Sequence, residues 1–69
     1  MPDWVLARHR EIGECIRLAR TEAKMSQVEL GERVGRDHKT IHRYETAQRV
    51  LDLPLIANAL GKRPSELID

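Results

Sequence analysis

Apolar positions recur at steps of four and three along the first third of the chain. Val5, His9, Ile12, Ile16, Ala19 and Ala23 fall on one face of a helix, which predicts an α-helix from about Asp3 to Ala23. Asp3 is placed to cap its start. Gly13 interrupts the pattern and costs about 1 kcal/mol relative to Ala in a helix interior. Two readings follow: one continuous helix, or a break that leaves a separate turn around Trp4. Residues 1–12 are read as an N-terminal extension forming the start of the first helix, and residues 13–69 as the body of one domain.

The second helix has the clearest beginning. Ser26 followed three residues later by Glu29 is a capping box, and Met25 with Leu30 suits a hydrophobic staple. Leu30 and Val34 form its inner face, and Gly35 ends it where a left-handed backbone is favoured. Arg36 leads directly to Asp37, the cap of a third helix that runs to about Thr46 with Ile41 and Tyr44 facing inward. Two helices joined this tightly must cross steeply. Leu53, Ile56, Ala57 and Leu60 predict a fourth helix starting at Asp52 or Leu53, with Pro54 tolerated in its first turn. Gly61 stops it, and Pro64 opens a short fifth helix ending at Leu67 and Ile68. The expected fold is all-α: a compact bundle of four helices plus a short fifth.

Composition narrows the function classes. A chain of 69 residues has no room for a two-domain enzyme. With one cysteine, Cys15, it has no internal disulfide. The core must be aliphatic, since there is no Phe and only one Trp and one Tyr. Twelve Lys and Arg against 11 Asp and Glu give a formal charge of +1, which argues neither for nor against nucleic acid. No apolar run is long enough to span a membrane. No basic stretch leads into an apolar one at the start, so no signal peptide is expected and a reducing cytoplasm is.

The local pattern says more than the total. Gln27, Gly31, Gly35, Ile41 and Tyr44 follow one another at the spacing that two crossing helices and a sharp corner require. Gly31 supplies a very small side chain at the contact, Gly35 supplies tolerance of positive φ, and Leu30, Val34, Ile41 and Tyr44 plug the crossing. Over roughly Gly13 to Leu67 the sequence resembles the helix-turn-helix proteins of the phage lambda repressor and Cro class (XRE class). Ser26 to Gly35 resembles the family's first motif helix and turn, Asp37 to Glu45 its recognition helix, Ile16, Arg17 and Arg20 its first helix, and Leu53 to Gly61 its fourth.

The resemblance implies a sequence-specific binder of double-stranded DNA, a repressor-like transcriptional regulator of a bacterium or phage. His38, Lys39 and Arg43 match positions that reach base edges in the major groove. Gln27, Thr40, His42, Thr46 and Arg49 fall where phosphates are touched. Arg20 and Glu45 match a pair that clamps the first helix to the recognition helix, and Arg20 can also face a phosphate. Dimers of this class space two recognition helices one DNA turn apart, so a palindromic operator is expected.

Side-chain chemistry agrees with these placements. Lys39, His42, Arg43 and Thr46 project from the side of the third helix opposite Ile41, and an Arg there can bond guanine O6 and N7 together. Between Arg36 and Arg49 stand four Lys or Arg and two Asp or Glu, a local excess of positive charge. The sequence departs from the family at Ala47, where a glycine is usual, at Gly31, usually Ala, and in the short stretch from Ala47 to Asp52.

Blander readings stand beside these. His38 and His42 at i and i+4 are too few ligands for a metal site, and Lys39 stands where a zinc hydrolase motif needs Glu. Cys15 reads as ordinary packing. Trp4, Cys15 and Leu18 form a weaker second stripe which, with Val50, Leu51 and Leu55, is either singly exposed apolar surface or a homodimer face. No cofactor, metal or small-molecule ligand is evident, and no triad, paired carboxylates or phosphate-binding loop suggests an enzyme. The rival class is a protein-interaction module, an antitoxin or adaptor, working through Trp4 and Leu18.

Overall fold

The computed structural model describes residues 2–46 and 48–68. The described residues are 74% helical and form five helices and no strand. They are α1 (Asp3–Glu22), α2 (Gln27–Val34), α3 (His38–Thr46), α4 (Leu53–Ala59) and α5 (Pro64–Ile68).

Helix α1 is unbroken through Gly13. The break allowed by the sequence is absent because Gly13 is a contact residue. A Cβ there would lie 2.5 Å from the Tyr44 carbonyl oxygen and 2.8 Å from the Glu45 carbonyl carbon. The missing side chain lets α1 lie directly on the α3 backbone, and this packing offsets the propensity cost. Pro2, not Asp3, occupies the N-cap; Asp3 begins the helix, where a carboxylate suits the positive end of the dipole. Ala23 falls just past the helix end and is exposed.

Local signals set the next two helices. Ser26 Oγ accepts from the Glu29 amide at 3.0 Å, and Glu29 Oε1 accepts from the Ser26 amide at 3.4 Å, closing the capping box. Gly35 adopts φ 73° at the end of α2. The Asp37 carboxylate accepts from the Thr40 amide at 2.8 Å, and hydrogen bonding from Thr40 holds that carboxyl below its ordinary pKa. Gly31 is needed for the turn as much as for the crossing: a Cβ would overlap the Arg36 carbonyl oxygen.

The core is Ile16, Leu30, Ile41, Ile56 and Leu67, all essentially inaccessible, joined by Ala19, Tyr44, Ala57 and Leu60. Helix α1 packs on α3 and α5, α2 on α3 and α4, and α4 on α5. The aliphatic core therefore seats α3 by its inner face and leaves its outer face free.

Candidate nucleic-acid interface

Ile41 and Tyr44 anchor α3 to the core. His38 at the start of the helix, and Lys39, His42, Arg43 and Thr46 around its other side, are all exposed. Lys39 and Arg43, four residues apart, form a ridge, and neither has an ion-pair partner among the described residues. Thr40 is half-buried, and Arg49 is exposed in the segment after α3. The Thr46 hydroxyl donates to the His42 and Arg43 carbonyls at 3.0 and 3.2 Å, so it must turn outward to meet a phosphate. Ala47 lies outside the described residues.

Behind the ridge is a polar cluster. Arg20 Nε meets Glu45 Oε2 at 2.5 Å and Arg20 Nη2 meets Oε1 at 3.1 Å, a bidentate pair tying α1 to α3. Arg20 Nη1 donates to the Met25 carbonyl at 2.8 Å. The side chains are 12% and 2% exposed. With every guanidinium nitrogen engaged, Arg20 is turned into the protein in this state. Gln27 Nε2 donates to Glu45 Oε1 at 3.1 Å and lies 3.4 Å from His42 Nδ1. With His42 in the tautomer that leaves Nδ1 unprotonated, both amide protons of Gln27 are directed at protein acceptors. A phosphate can take its backbone N–H at the first position of α2, or the proton now shared with His42.

A second cluster was not legible as one. Helix α4 starts at Leu53, one of the two starts the sequence allows, with Asp52 at the N-cap position, but the Asp52 side chain makes no capping hydrogen bond. Its carboxylate instead takes Arg36 Nε at 2.7 Å, Arg36 Nη2 at 3.0 Å and the Tyr44 hydroxyl at 2.9 Å. Asp52 thus fastens the turn between α2 and α3, and α3 itself, to the entrance of α4. The one available signal was the phenol of Tyr44, which needs a partner when its ring is buried. This cluster also revises the charge count: Arg36 is spent on Asp52 and Glu45 on Arg20. Lys39, Arg43 and Arg49 remain against Asp37.

Hydrogen bonds from Arg36 and Tyr44 hold the Asp52 carboxyl below its usual pKa, and burial with the Asp52 contact pushes the Tyr44 phenol up. A depressed carboxyl contributes stability above its unfolded pKa, about 4, and loses it as pH falls toward the folded value. The melting temperature of Asp52→Asn should therefore converge on that of the parent as pH is lowered from about 6 to 2. A constant gap across that range would show that the charge of Asp52 is immaterial.

Among the described residues no group of three or more His, Cys, Asp or Glu could hold a metal. No described helix is long and apolar enough to cross a membrane. Trp4 and Leu18 are exposed but line different concavities. Trp4 faces Arg49 to Leu53, whereas Leu18 and Cys15 face Lys62, Glu66 and Leu67.

A steeply joined helix pair with an exposed second helix defines a helix-turn-helix protein. The family model described as a helix-turn-helix domain matches residues 11–64, and the chain belongs to that family, one of the Cro/C1/XRE-type class. A domain of this family points to DNA binding. Among solved structures, a crystal structure of FeII HppE in complex with substrate matches with a TM-score of 0.81 and 22% identity, over 88% of this chain and 36% of that one. The chain thus spans about a third of that protein, and the likeness is one of fold. No curated protein matches the sequence.

Proposed function

We propose that this protein is a sequence-specific binder of double-stranded DNA, a repressor-like transcriptional regulator of a bacterial or phage-infected cytoplasm that inserts α3 into the major groove. The observation that carries the reading is the Lys39–Arg43 ridge: two exposed cations without ion-pair partners among the described residues, on the face of α3 opposite its buried anchors. His38, Lys39 and Arg43 read base edges; Gln27, Thr40, His42, Thr46 and Arg49 hold phosphates. Arg20 and Glu45 hold α3 at its angle, and Arg20 reaches a phosphate only if it leaves that pair. A homodimer on a palindromic operator follows, because one short helix reads too few base pairs for useful specificity.

Selection of bound sequences from a random DNA pool tests the reading, with an enriched inverted repeat as the expected result. No enrichment would end it. Arg43→Ala should cost about 1–3 kcal/mol on the selected site and relax preference at one base pair per half-site. Equal loss on all sequences would move Arg43 from base to phosphate. Affinity should fall steeply with salt as phosphate counterions are released.

A further inference from the structure

The geometry points to a second binding site: the groove between the first half of α1 and residues 49–53 takes a small apolar molecule carrying one carboxylate. The groove has a volume of about 360 Å³, within the range of small-molecule sites. Its walls are Trp4, Ile12, Val50 and Leu53. Trp4 is 74% exposed, a large aromatic surface left to solvent in a chain with only one tryptophan.

The polar groups in this groove all bear nitrogen. Arg8, His9 and Arg49 line it, and no Asp or Glu among the described residues does, although the chain carries 11 of them. Arg8 is committed elsewhere, paired with Glu11 at 3.0 Å and donating to the Ile68 carbonyl. Arg49 has no hydrogen-bond or ion-pair partner among the described residues, so its planar fork is open to a carboxylate. His9 Nδ1 is buried and has no hydrogen-bond partner there either. One uncompensated guanidinium beside an apolar trough matches a monoanion with an apolar body. A second copy packed groove against groove fits poorly, because it would bring the same cations together. The site is not legible in sequence because its two walls are some 40 residues apart and neither forms a motif.

Arg49 is also assigned above to a phosphate. Where both assignments hold, ligand and DNA compete for it; the groove itself needs no DNA to bind.

Trp4 reports the test directly. The intact chain, free of DNA, is titrated with 4-phenylbutyrate and, separately, with 4-phenylbutan-1-ol, following tryptophan emission. The acid should produce a saturable change with a dissociation constant on the order of millimolar or tighter. The alcohol should bind about tenfold more weakly, the lower range of a charge-assisted contact. Arg49→Gln should bring the acid down to the alcohol's affinity, and Arg49→Lys should restore most of the difference. The proposal is overturned by any of three results: no saturable change, equal binding of acid and alcohol, or indifference to Arg49→Gln. It is equally overturned if only an acidic, apolar peptide binds, since the occupant would then be a protein.

Discussion

Gly13→Ala should destabilise the protein, although it replaces the second-worst helix former by the best in the middle of a 20-residue helix. On propensity alone the change should stabilise by about 1 kcal/mol. The opposite sign is expected because the new methyl would meet the Tyr44 carbonyl oxygen at 2.5 Å and the Glu45 carbonyl carbon and oxygen at 2.8 Å. These are backbone atoms in the last turn of α3, so no rotamer change relieves the overlap. Helix α1 must lift off α3, and the buried side chains at that contact, Ile16, Ile41 and Tyr44, lose packing together. Overpacking of this kind costs about 1–3 kcal/mol and sometimes more. A net loss of about 2 kcal/mol lowers the melting temperature of a domain this size by roughly 10 °C. Gly13→Val adds branching at the same spot and should leave little folded protein, since a chain of this length has only about 3–10 kcal/mol to lose. Thermal unfolding of the two variants decides it. A higher melting temperature for Gly13→Ala would mean that α1 and α3 do not touch at this point.

That contact marks the limit of what the sequence discloses. Features written in neighbouring residues were legible: the Ser26–Glu29 box, the left-handed Gly35, the Asp37 cap and the period of the inner faces. Each depends on atoms within about one helical turn, and its signature is correspondingly short. Gly31 was legible as a crossing contact through its spacing, but Gly13 and Asp52, which also set the relations between helices, were read by their local meanings. Gly13 looked like a weak point because propensity is a local quantity, whereas its value lies in a partner 31 positions on. Asp52 was read only as a candidate first residue of the fourth helix, and nothing nearby discloses that Arg36 and Tyr44 claim its carboxylate. The ridge of α3 was legible for a different reason: its period follows from Ile41 and Tyr44, and a residue opposite a buried anchor must face outward. What those outward cations touch is chemistry between molecules, and for that the DNA selection and the Arg43 variant are the tests.

Glu45→Ala should be the most damaging of the surface-sparing changes and should reduce both stability and DNA binding. The carboxylate is 2% exposed and receives three hydrogen bonds, two from Arg20 and one from Gln27. Its loss leaves a guanidinium only 12% exposed with the Met25 carbonyl as its remaining acceptor. Stranding one partner of a buried pair costs about 3–5 kcal/mol. The expected fall in melting temperature is about 15 °C or more, and high salt should restore little of it, because the stranded guanidinium is largely shielded from solvent ions. The double variant Arg20→Met, Glu45→Leu separates the two consequences. Replacing both charges by apolar side chains of similar size should recover most of the stability, since no charge is left stranded. DNA affinity should stay low, because Gln27 has lost the acceptor that orients its amide beside His42, and α3 has lost a tie that holds its angle to α1. If the single variant melts within a degree or two of the parent, the pair is not a clamp. If the double variant recovers both stability and binding, the pair serves the fold alone, and the orientation of Gln27 is set by something other than Glu45.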